Sequence, residues 1–224
     1  MRNYIREKIE KTPSFFKFGN IEIVQDSPLS DQLEIDTLLK MVEKTLPKAY
    51  FRDLKAIHIG DYEEFTERSV NALYRDGKLY VSNHQDNYSD LLDDVVHEIA
   101  HHVETLYPED IYSDTTLIAE FLQKRFQLEF ALKSEGYWTS EYDFRDMRYS
   151  EAFDTFLYKR VGKKVLAMAT TGIFIRPYAS VSMREYFATG FEAYYLGRKN
   201  ELHNISPALY AKISELDSAN THRL

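Results

Sequence analysis

The 224-residue chain has no cysteine. That absence excludes a disulfide scaffold, thiolate zinc sites, iron–sulfur clusters and cysteine nucleophiles together. Any transition metal would have to be held by His, Asp, Glu or Tyr. Glycine and proline are scarce, at eight and six residues, and no internal repeat or low-complexity tract interrupts the chain. Basic residues are outnumbered, 28 against 36 acidic, for a formal net charge of -8. A nucleic-acid footprint needs clustered Lys and Arg, so no such partner is expected. Long apolar runs are missing too. The longest, residues 165–175 (VLAMATTGIFI), has eleven residues where a membrane crossing needs about twenty. The first ten residues, MRNYIREKIE, carry five charges and offer no apolar core for a signal peptide. The expectation is a cytoplasmic protein with no membrane partner, unless a non-classical exporter handles it. Oligomeric state is not encoded in any of these features.

What is present is enough to build a core: 44% of residues are hydrophobic and 14% aromatic. Residues 20–25 (NIEIVQ) alternate as a half-buried strand does, and 54–60 (LKAIHIG) read as a second strand. Between them Ser30 is a candidate N-cap for a helix through Leu33, Leu38, Leu39, Val42 and Leu46, stopped before Pro47. Residues 72–82 (ALYRDGKLYVS) give two alternating runs around Asp76-Gly77, a strong hairpin signal. The period then switches to 3.6, with Leu92, Val95, Val96, Ile99 and Val103 on one helical face and Ser89 as candidate cap. Helices are expected near 115–134, 150–169, 183–196 and 207–216. Strands with one helix, followed by helices only, predict an α+β fold spanning 1–224 as a single domain.

On the amphipathic helix sits His97-Glu98-Ile99-Ala100-His101. Histidines four residues apart stand one above the other on a helix, so both imidazoles can reach one ion. Glu98 is adjacent, where a carboxylate can take a proton from a water on that ion. Chance would produce the pattern in roughly two such chains per hundred. Context strengthens it: Ile99 and Ala100 face the core, while Asp94, His97, His101 and Glu104 share another face. The hairpin ahead of the helix also supplies an edge strand to which an extended peptide can add. Asp94, one turn before His97, is either an imidazole-orienting group or a favourable first-turn charge. His102 points about 100 degrees from His101 and reads as a surface residue or one behind the ligands. His84 reads as a turn residue or a substrate contact.

The third ligand is open on spacing alone. Glu104 and Tyr107 stand where a metzincin needs Gly and His, so that class is excluded. His58, His84, His102, His203 and His222 form no second helical motif, which favours a carboxylate from a later helix. Glu120 lies nineteen residues after His101, a spacing used by thermolysin-like zincins, and Glu185 lies eighty-four after it. Each also reads as an ordinary polar residue of its helix. Glu192, seven residues beyond Glu185, either lines a cleft or does nothing.

Residues 178–196 (YASVSMREYFATGFEAYYL) resemble the second metal-site segment of the anthrax lethal factor catalytic domain and the Pro-Pro endopeptidases. In those families a Tyr precedes the ligand Glu by seven residues, as Tyr178 precedes Glu185, and an aromatic helix follows, here with Tyr186, Phe187, Ala188 and Phe191. Thr189 departs from the family, which has a second Glu there, and so does a helical insertion at about 108–176. The resemblance covers the hairpin, the His97 helix and this segment.

It implies a gluzincin-type metallopeptidase: a small twisted sheet with an edge hairpin packed on the HExxH helix, then a mostly helical C-terminal half. It implies Zn2+ held by His97, His101 and Glu185, with Glu98 as general base and Tyr178 donating to the oxyanion. The expected partner is a protein or peptide substrate. The alternatives are a zincin fold used only for binding, and a toxin or phage effector domain with a non-peptidase role.

Overall fold

A computed structural model describes residues 14–30, 33–68 and 70–221. The polar segment 1–10, read above for the absence of a leader, lies outside the described residues, as does His222. The described chain is α+β: a five-stranded mixed sheet followed by helices. It forms two compact units, Met1–Val103 and Glu104–Leu224. No helix among the described residues is long and apolar enough to cross a membrane.

In the first unit, β1 (Ser14–Phe18), β2 (Ile21–Gln25), β3 (Ala56–Gly60), β4 (Ala72–Arg75) and β5 (Lys78–Ser82) form one sheet in the order β1-β2-β3-β5-β4. The β1/β2 and β4/β5 pairs are antiparallel, whereas β2/β3 and β3/β5 are parallel. Parallel neighbours need a crossover, and α1 (Ile35–Thr45) supplies it between β2 and β3. The alternation in β2 buries Ile21 and Ile23 and exposes Glu22. Central β3 is buried on nearly every residue, as expected with strands on both sides.

Asp76 and Gly77 both have positive φ, 52° and 81°, the requirement of a two-residue type I′ turn. Lys55 fastens that turn, its backbone N–H donating to Gly77 O at 2.8 Å and its Nζ to Asp76 O at 2.9 Å. The hairpin thus makes β4 an outer strand. α2 (Glu63–Arg68) lies between β3 and β4.

Two caps differ from expectation. α1 starts at Ile35 with Glu34 at its N-cap and no side-chain cap bond, while the Ser30 hydroxyl donates to Gln85 O instead. α3 (Tyr88–Leu106) is capped by Asn87 rather than Ser89. Asn87 Oδ1 accepts from the Asp90 N–H at 3.0 Å, and its Nδ2 donates to the Asp90 carboxylate at 2.9 Å. Satisfying two groups at once, the asparagine outcompetes a serine two residues later. The apolar stripe of α3 is buried as its period requires, with Val96, Ile99, Ala100 and Val103 all at 0% exposure.

The second unit contains α4 (Pro108–Tyr112), α5 (Thr115–Ser134), α6 (Glu151–Thr155), α7 (Lys163–Thr170), α8 (Met183–Tyr195), α9 (Lys199–Ile205) and α10 (Pro207–Thr221). The helix expected over 150–169 is divided. Ser150 caps α6, a π-helical stretch Phe156–Gly162 follows, and Gly162 at φ 86° resets the chain before α7. α8 and α10 approach closely because Gly190 has no side chain: a Cβ there would lie 2.2 Å from Leu209.

The N-cap of α5 gives a measurable pH dependence. Asp114 Oδ1 accepts from Thr116 N at 2.9 Å and Leu117 N at 3.0 Å, and Lys212 Nζ lies 3.0 Å from the carboxylate. Partial burial opposes ionisation, but the two N–H groups and the lysine together hold this carboxyl below its ordinary 3.8. As pH falls, the unfolded chain therefore takes up this proton first. The cap contributes in full above about pH 5 and is lost as pH drops through the folded value. Asp114→Ala is expected to cost about 1 kcal/mol at neutral pH. Urea unfolding at pH 7 and pH 3 checks this, with the gap to wild type narrowing at the lower pH.

Candidate metal centre

Helix α3 positions the motif by its periodicity alone. Burying Val96, Ile99, Ala100 and Val103 turns His97 and His101 together to the neighbouring face. Their rings lie 5.0 Å apart between centroids, edge to face at 88°. Potential ligand atoms of His97, Glu98 and His101 all fall within 4.8 Å of one another. Glu98 and His101 are buried, at 8% and 5% exposure, and His97 is half-buried. Two imidazoles and a carboxylate, largely withdrawn from water, form a nitrogen and oxygen donor set suited to a divalent ion such as zinc.

Around this group the helix is anchored on both sides. Asp94 accepts from Gln85 Nε2 at 2.9 Å. Burial raises its carboxyl above the ordinary value, against the opposing influence of Gln85 and His97. His102 is not a surface residue: at 2% exposure, its Nε2 lies 2.7 Å from Arg52 O and its Nδ1 3.1 Å from the Tyr74 hydroxyl of β4. Burial pushes its pKa down, which keeps it neutral and suits one N–H donated to a carbonyl. It pins α3 to the outer strand. His84 is an exposed loop residue 3.7 Å from Asp61, and His58 stacks on Tyr80.

The second unit gathers Tyr178 and Glu185. Tyr178 lies in a 3-10 turn, Pro177–Ser180, and Glu185 in the first turn of α8, where its N–H donates to the Ser182 hydroxyl at 3.2 Å. The Tyr158 ring packs 6.0 Å from that of Tyr178. Burial, then the nearby charges of Glu185 and Asp154, push the Tyr178 phenol above its ordinary range, so it remains a proton donor. Tyr149 OH donates to Asp154 Oδ2 at 3.2 Å. Arg184, next to Glu185, lies 3.5 Å from Glu104, which also accepts from the Tyr112 hydroxyl.

Glu120 has a different occupation. Its carboxylate accepts from Tyr186 OH at 2.6 Å and from the backbone N–H groups of Ala208 and Leu209 at 2.9 and 3.1 Å. It is the N-terminal anion of α10. Glu192 does not stand idle: at 3% exposure it is paired with Arg176 at 2.7 Å and Arg198 at 3.7 Å. Thr189 is buried at 2%.

Sequence reasoning did not find Tyr112, Asp154 or Tyr158 around Glu185, because no local spacing links them. Compared with protein-family models, curated proteins and solved structures, the chain matches none.

Proposed function

We propose that the protein is a zinc-dependent endopeptidase of the glutamate-ligand zincin type, with Zn2+ held by His97, His101 and Glu185. The observation that carries this reading is the convergence of the His97, Glu98 and His101 donor atoms within 4.8 Å on one helical turn. When bound, zinc supplies Lewis acidity, lowering the pKa of a coordinated water to about 7. Glu98 takes the proton of the attacking water and delivers it to the departing amine. Tyr178, its phenol kept protonated by burial, donates to the oxygen on which negative charge develops.

Further support comes from the occupation of Glu120 at α10, which leaves Glu185 as the better of the two candidate carboxylates. The substrate is read as an extended peptide that adds alongside outer strand β4.

Metal analysis combined with a peptide-library digest tests the reading. The expected result is one zinc per chain, with cleavage that a chelator stops and added zinc restores. Protein that neither retains zinc nor cleaves any library peptide with zinc added would overturn it.

A further inference from the structure

Helix α5 buries a stripe of Leu117, Phe121, Leu128 and Leu132, and in the middle of that stripe stand two consecutive cations. Lys124 is 7% exposed and Arg125 1%. Burying a charge is costly unless donors and acceptors are matched. Among the described residues, both side chains donate to main-chain oxygens. Lys124 Nζ reaches Ile173 O at 2.6 Å and Ile205 O at 2.5 Å. Arg125 Nη1 reaches Ser180 O at 2.8 Å and Val181 O at 3.2 Å, while its Nη2 makes longer contacts to the carbonyls of Asp143 and Asp146. The Phe153 ring faces the guanidinium at 4.0 Å from its centroid. The buried Arg125 Nε has no hydrogen-bond partner among the described residues.

Three of the six carbonyl targets belong to one segment. Ile173 and Ser180–Val181 bracket the loop that carries Tyr178, and the next residue, Ser182, caps the turn holding Glu185. One helix therefore grips both ends of this segment with two buried basic side chains. We propose that Lys124 and Arg125 form a clamp that positions Tyr178 and Glu185, so that the 108–176 insertion is the scaffold of this half of the site and not a lid. The role assigned to those two residues rests on the zincin reading above; the clamp itself rests on the hydrogen bonds.

A guanidinium satisfies two carbonyls in one plane, which an ammonium at position 125 cannot reproduce. Hydrogen–deuterium exchange on metal-free protein tests the clamp without reference to activity. At a temperature where thermal melts show the protein folded, Arg125→Met is expected to speed exchange at amides 178–185 about tenfold. Strand β3 and the N-terminal half of α5 should be unaffected. Lys124→Met should act first on amides 173–176. Arg125→Lys should recover only part of the protection. Unchanged exchange at 178–185, or acceleration shared equally by the whole second unit, overturns the clamp. If Arg125→Met does not fold, Arg125→Lys and Lys124→Met provide the same readout.

With a library peptide cleaved by wild type, folded Arg125→Met is expected to lose about a hundredfold in kcat with KM little changed, the effect of a displaced catalytic group. A zinc-loaded variant with wild-type kcat overturns the positioning role. Should wild type cleave nothing, the peptidase reading fails and the exchange data alone decide the clamp.

Discussion

Replacing Glu98 by glutamine is expected to leave zinc stoichiometry and thermal stability close to wild type and to cut peptide cleavage by 10²- to 10⁴-fold, about 3–5 kcal/mol in barrier height. Glutamine keeps the volume of a side chain that is 8% exposed, so the helix face around it needs no repacking. It cannot accept the proton of the attacking water. The imidazoles of His97 and His101, with rings 5.0 Å apart, are carried by one turn of α3 and are expected to keep their grip on the ion. Metal analysis on the same sample used for kinetics separates the two effects. A variant that loses its zinc would place Glu98 among the ligands, a role its donor atom, within 4.8 Å of both imidazoles, is close enough to take. A variant that keeps both zinc and turnover would remove Glu98 from the chemistry altogether.

How much of this was legible beforehand differs between the units. The sheet strands that were expected are those that alternate, as in β2, that form a short apolar run, as in β3, or whose turn is chemically explicit, as in the hairpin at Asp76-Gly77. β1 was not anticipated, because Phe15 and Phe16 stand side by side at 66% and 40% exposure on an edge strand with no buried face to impose alternation. The span of α5 was legible at both ends, whereas the 150–169 helix gave no warning of its π-helical interruption. Helix caps were misplaced by choosing serines where Asn87 or no side chain serves.

The site was legible where chemistry is local. His97, Glu98 and His101 meet because they occupy one turn of one helix, which spacing alone determines. The surroundings of Glu185 come from Tyr112, Asp154 and Tyr158, which only tertiary folding assembles. His102 was read from its direction on the helix, but its burial depends on Tyr74 and Arg52, distant in sequence. Lys124 and Arg125 fall at core positions of the α5 stripe, between Phe121 and Leu128, where charged residues need a reason to be.

The choice between the two candidate glutamates gives the second large effect, because their replacements should fail in opposite ways. Glu120→Gln removes the anion that holds the N-terminus of α10 and leaves the Tyr186 hydroxyl and two N–H groups short of a charged acceptor. The expected cost is about 1–3 kcal/mol of stability, with zinc binding intact in protein that remains folded. Glu185→Gln touches none of these bonds. Its backbone N–H still reaches Ser182, so α8 keeps its cap and the melting temperature should hold. On the proposed reading, what it removes is a negatively charged oxygen ligand. Altering groups that merely orient a ligand costs 10–100-fold in metal affinity, and loss of a ligand itself is expected to exceed about a hundredfold. Competition against a chromophoric zinc chelator, run beside urea unfolding of the metal-free proteins, reads both quantities. Weakened zinc with normal stability for Glu185→Gln, and the reverse for Glu120→Gln, is the expected pattern. The opposite assignment of effects would transfer the third ligand to Glu120, and zinc affinity unchanged in both variants would confine the metal to the His97 helix.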